Sequence, residues 1–131
     1  MTSSFRAQLN RAYENKVLKT QERVTRLTGL ALISELVFNT PVDTGRAKGN
    51  WNIDINTIDL TDREAEKDGS GSISRANSIT ASYKLNETIF VSNNLPYINR
   101  LNDGYSGQAP AGFVEAAIQT ANLKAKELAK Q

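Results

Sequence analysis

The sequence predicts an α+β domain in which a long N-terminal helix and a C-terminal helix pack on a small, mostly antiparallel β-sheet. Three observations predict it. Apolar residues recur at helical spacing from Phe5 to Phe38, they do so again from Val114 to Leu128, and two short stretches at 51–56 and 88–92 have strand character. At 131 residues the chain suits a single domain, 1–131, with one modest core.

The first helix is the best marked. Phe5, Leu9, Ala12, Tyr13, Val17, Val24, Leu27, Ala31 and Val37 recur mostly at steps of three, four or seven, which lays one apolar stripe along a cylinder. Ser3 or Ser4 is placed to cap its start, and Glu22 with Arg26 makes a favourable i,i+4 pair. Pro41 stops it, because the residue before a proline is pushed out of the α region. Within a helical segment 1–38, the patterned stretch Phe5–Phe38 runs to roughly 50 Å at about 1.5 Å per residue. A domain of this size does not cover that length, so part of the stripe is expected to meet a partner.

A turn follows at Thr40-Pro41-Val42-Asp43-Thr44-Gly45-Arg46. Asp43 is suited to accept backbone N–H bonds from residues further on, and Gly45 tolerates positive φ. Trp51, Ile53 and Ile55 then alternate with Asn52, Asp54 and Asn56, the period of a half-buried strand. The stretch 59–72 is charged and then Gly/Ser-rich, a loop expected to be mobile when unpartnered. Ile73, Ala76, Ile79 and Tyr83 have helical spacing, and Thr88–Ser92 is rich in β-branched and aromatic residues.

Asn94-Leu95-Pro96 opens another helix, with Asn94 as cap and Pro96 in the first turn, which presents Tyr97, Ile98 and Leu101 and ends near Gly104. After the loop Tyr105–Pro110 the last helix carries Val114, Ala117, Ile118, Ala121, Ala125 and Leu128 on one face. Its early Glu115 and late Lys124, Lys126 and Lys130 suit the helix dipole.

Composition removes several chemistries. Cysteine and histidine are absent, which excludes disulfides, Cys/His zinc sites, thiol nucleophiles and the commonest general base. No apolar run reaches the roughly 20 residues of a membrane span. The polar start Met-Thr-Ser-Ser-Phe-Arg lacks the apolar segment of a signal peptide, so the product is expected in the cytoplasm of its host, with no membrane partner and no cofactor. The formal charge of +2 is too small for a strong field, yet it is unevenly spread. Residues 1–38 carry six basic and three acidic groups, and residues 39–72 carry four and seven. A basic helix and an acidic middle segment are therefore able to face each other between neighbouring subunits, or each simply to be solvated.

Two functional readings compete with an assembly role. Val42-Asp43-Thr44-Gly45 has the form of an aspartic-protease signature, in which two chains each supply one carboxylate of a dyad. Arg46 follows where that motif has a small residue, and a long helix precedes where such a protease needs strands. The second reading is DNA binding through Arg6, Arg11, Lys16, Lys19, Arg23 and Arg26. These do not share one face, Glu14 and Glu22 dilute them, and no recognition motif accompanies them. Among the aromatics, Trp51, Phe90 and Tyr97 read as core anchors, and Tyr105, in a Gly/Ser/Pro-bounded loop, as a candidate intersubunit anchor.

Four segments taken together have a recognisable order. They are Asn39–Arg46 with Trp51 just beyond, Ile89–Tyr97, Leu101–Ser106 and Gln108–Val114. In that order, after an N-terminal helix, they resemble the neck and tail-completion proteins of tailed bacteriophages, a group to which the lambda-like minor tail protein Z is distantly related. The resemblance implies a structural subunit without catalytic residues, assembling as a ring of sixfold or twelvefold symmetry at the head–tail junction of the virion. Other neck, connector and tail-terminator proteins would be its neighbours, with DNA passing through the central channel. The matched positions Pro41, Asp43, Thr44, Gly45, Asn93, Asn94, Pro96, Tyr97, Gly104, Ala109, Pro110 and Gly112 then act as turn and cap devices, with Trp51 and Tyr105 as anchors. The polar 59–72 stretch and Asn102-Asp103-Gly104 depart from the commoner pattern of that group.

Overall fold

A computed structural model of the chain describes residues 2–42, 45–104 and 111–130. Asp43, Thr44, Tyr105, Ala109 and Pro110 lie outside the described residues.

The predicted first helix is present and slightly longer than its apolar pattern. Helix α1 (Thr2–Tyr13) passes through a π-helical turn (Glu14–Leu18) into α2 (Lys19–Asn39), giving a rod of about 57 Å at 1.5 Å per residue. The backbone at both junctions, Tyr13 and Leu18, is α-helical, so the rod is unbroken. Its start corrects one expectation: Ser3 and Ser4 stand inside the first turn rather than at the cap. The π turn adds a residue to the winding and so rotates the α1 stripe relative to α2.

The core forms at the far end of the rod. Ile33, Leu36 and Val37 of α2 are buried together with Trp51, Ile53, Ala76, Phe113 and Ala117. The C-terminal half of α2 is enclosed by α4 (Ser70–Ala81), α6 (Phe113–Ala129) and strand β2 (Ile89–Ser92). A single stripe is therefore the wrong picture for this half of the helix. Leu30 and Leu32 pack on the core as well, as expected of a helix wrapped on several sides.

Strand β1 (Asn52–Ile55) pairs antiparallel with β2, with Ile53 opposite Val91 and Ile55 opposite Ile89. The sheet comes down on α2 at Gly29, where an added Cβ would lie 3.2 Å from the Ile89 side chain. The two strands, the long first helix and the C-terminal helix together establish the predicted α+β class.

Several boundaries move. The loop after β1 ends at residue 69, because Ser70, Gly71 and Ser72 already belong to α4. Helix α5 (Ile98–Asn102) starts later than predicted, with Tyr97 at its cap position and no side-chain cap bond. Asn94 is thus not a helix cap; its Nδ2 donates to Leu60 O (3.3 Å), while Asn93 Oδ1 accepts from Leu95 N (3.1 Å). Pro96 precedes the helix instead of lying in its first turn. On α6 the predicted face holds at Ala117, Ala121 and Leu128, but Ile118 is exposed and Phe113 takes the core position at its start.

Candidate interaction surface

Helix α3 (Arg46–Gly49) begins immediately after Gly45, whose φ of +79° is the left-handed backbone that the turn requires. Gly45 O then accepts two bonds, from Gly49 N (3.0 Å) and from Glu66 N (2.8 Å). The second of these pins the returning chain. Residues 59–69 have no regular secondary structure, yet they form a strap tied to α3 and β1 at every few residues.

Three side chains supply most of those ties. Asn50 is buried and donates through Nδ2 to Arg46 O (2.7 Å) and Arg63 O (2.9 Å), while its Oδ1 accepts from Arg63 N (2.6 Å). Asn52, also buried, donates to Thr61 O (3.1 Å) and accepts from Arg63 Nε (2.6 Å). Arg63 then reaches Asp59 at 2.8 Å, and Arg46 reaches Asp62 at 2.9 Å. Burial raises the pKa of Asp59, but hydrogen bonds from Thr61 and Arg63, with the Arg63 charge, outweigh it and hold the carboxyl below its ordinary value.

Trp51 anchors the same region from beneath. Its indole Nε1–H donates to Thr40 Oγ1 (2.7 Å), whose hydroxyl donates to Leu36 O at the end of α2 (2.5 Å). Pro41 is buried beside this junction, and Asn93 Nδ2 donates to Ala47 O (3.0 Å). Pro41, Gly45, Trp51, Asn93 and Asn94 therefore converge on one end of the molecule, around the strap. Tyr97, half-buried like Phe90, and the exposed Pro96 follow on from them.

Gly104 and Gly112 belong to a different device. Both have positive φ, at +91° and +80°. Asn102 O accepts Gly112 N (2.7 Å), and Asn102 Oδ1 accepts Val114 N (2.9 Å), so a side chain ten residues before Gly112 caps the start of α6. Asn102 Nδ2 also donates to Glu115, which lowers that carboxyl's pKa.

Sequence reasoning missed Asn50, Asn52, Asn102 and Arg75. Arg75 Nη2 donates to Gly49 O, Trp51 O and Ser72 Oγ at 3.0–3.3 Å, with its Nε buried and without a hydrogen-bond partner. Burial lowers the Arg75 pKa, and the nearby Arg63 charge adds to that. The cleft of about 240 Å³ beside it is lined by Asp54, Asp59, Arg63 and Arg75; two carboxylates and two guanidinium groups leave it without a dominant sign. Among the described residues, no group of three or more metal-ligating side chains is present, and no helix is long and apolar enough to cross a membrane.

The opposite end of the rod is bare. Phe5, Leu9 and Tyr13 are 67%, 59% and 53% exposed, along a helix that also carries the exposed Arg6, Arg11 and Lys16. Past Val17 the apolar face continues into two adjoining hollows of about 430 and 540 Å³, which share Val24 and Thr25 and run along α2 to Leu32 and Ile89. Comparisons with protein-family models, with curated proteins and with solved structures find no match to this chain.

Proposed function

We propose that this chain is a structural subunit of a ring at the head–tail junction of a tailed bacteriophage, assembled in the host cytoplasm and carried in the virion. The single observation behind the reading is the α1 stripe. Three large apolar side chains more than half exposed on one projecting helix form a surface that water penalises and a neighbour relieves. The order of the four sequence segments supports a neck role in particular, and the clustering of Pro41, Gly45, Trp51, Asn93 and Asn94 at one end gives the first two of those segments a shared structural purpose. A ring subunit needs two different faces that each find a partner, and the bare α1 and the strap end are two such faces.

The test compares amide exchange of residues 5–17 in the isolated chain and in purified particles. In the isolated chain these amides exchange as a projecting helix does, far faster than those of residues 30–37. In particles they slow by at least about tenfold, the protection expected for a local stabilisation of about 1.4 kcal/mol. Equal exchange in both, or particles that lack the chain, contradicts the proposal.

A further inference from the structure

The two edges of the β-sheet are finished differently. Asn56 N donates to Thr88 O (2.7 Å), which continues the β1–β2 register and sets its phase. Asn52, Asp54, Phe90 and Ser92 exchange the ladder bonds, so the N–H and C=O groups of Ile53, Ile55, Ile89 and Val91 point away from the partner strand. On the β1 side α4 packs against the strand. There Asp54 Oδ1 accepts from Ile55 N (2.8 Å), and Arg75 Nη2 donates to Trp51 O (3.3 Å). On the β2 side, nothing among the described residues bonds the outward main chain of Ile89 or Val91.

A bare strand edge is a template for another chain, and proteins usually cover it. This one overlooks an apolar hollow. The space of about 540 Å³ lies between β2 and Ala125 of α6, over Val24, Thr28 and Leu32 of α2. With the adjoining hollow it follows α2 from Val17 to Leu32, about 22 Å at 1.5 Å per residue. That length takes an extended segment of about 6–7 residues. Among the described residues, Glu87 is the one charged side chain lining the hollow beside the strand. Its carboxylate accepts from Lys84 N and Asn56 Nδ2 but has no ion-pair partner among the described residues.

We infer that the β2 edge receives an extended segment of a different, neighbouring protein, which adds a third strand to the sheet. The segment's main chain meets the free groups of Ile89 and Val91, about 6.8 Å apart along the strand. Its alternate apolar side chains enter the hollow, and a lysine or arginine stands over Glu87. A helix is the wrong occupant, because its main-chain bonds are internal and leave the edge unpaired. A folded second copy is also excluded as the occupant, since α6 bounds the hollow opposite β2, where another sheet would have to enter. Six or seven residues fall well short of the roughly 20–30 a side of a stand-alone complex. The contact is therefore that of an arm, strengthened by whatever assembly tethers it. It does not depend on where in a virion the chain sits.

The probe is a capped peptide of about seven residues, one lysine followed by alternating valine and threonine, titrated to millimolar concentration into the full-length protein. Nuclear magnetic resonance follows the amides. Those of Ile89 and Val91 shift, and near saturation they exchange with solvent at least about tenfold more slowly. N-methylation of alternate peptide residues abolishes this in one phase, where the N–H groups face β2, and spares it in the other. Ala125→Trp, which fills the hollow from α6 and leaves β2 untouched, weakens binding at least about tenfold. Glutamate in place of the peptide lysine weakens it at least about threefold. Silent Ile89 and Val91 amides, or N-methylation with the same effect in both phases, overturns the inference. Shifts of these amides on concentrating the protein without peptide identify a second copy as the occupant and overturn it as well.

Discussion

Trp51→Ala lowers the unfolding free energy by about 3–5 kcal/mol, the cost of emptying a large buried aromatic site. The side chain lies in the core cluster with Ile33, Leu36 and Phe113, so its loss leaves a cavity between α2, β1 and α6. It also frees Thr40 Oγ1 from the indole N–H, at the point where α2 ends and the strap end begins. For a domain whose total stability is on the order of 5–15 kcal/mol, that is a large fraction of the whole, and the unfolding midpoint falls accordingly. Urea titration followed by circular dichroism measures the change. A loss under about 1 kcal/mol contradicts Trp51 as the central anchor.

Gly45→Ala is the second large effect. Alanine at φ +79° costs about 1–2 kcal/mol in the left-handed region. Its Cβ would also stand 2.7 Å from the Glu66 carbonyl carbon and the Lys67 nitrogen. Both neighbours are backbone, so relief means lifting the strap. Together the two terms amount to about 2–4 kcal/mol. The distinguishing sign is local: amides at 63–67 lose protection before those of α6, because Glu66 N is bonded to Gly45 O. A variant of unchanged midpoint, or one whose exchange rises uniformly over the chain, contradicts Gly45 as the hinge that seats the strap.

Much of this fold was legible where periodicity is strong. The first and last helices, the helix around Ala76 and both strands follow from spacing and residue type, since each buries one apolar set against a neighbour. The misses share a cause. Asn52 alternates with Trp51 and Ile53 and so reads as solvent-facing, and Asn50 carries no signal of its own, but the returning strap covers both and takes their hydrogen bonds. Only the burial of a distant segment makes them structural, and no local spacing announces that. Asn102 likewise caps a helix that begins after Gly112, out of reach of the usual rule that a cap adjoins its helix. The α2 core face was misjudged because a helix enclosed on several sides has no single stripe. Of the candidate site, Gly45 and Trp51 were legible from chemistry alone, a turn glycine and a lone tryptophan.

Electron microscopy of intact particles with this subunit labelled at its C-terminus tests the central claim most directly. The expected result is a ring of label density at the head–tail junction, coaxial with the DNA channel. Label on the capsid shell, along the tail shaft, at the tail tip or nowhere on the particle contradicts it.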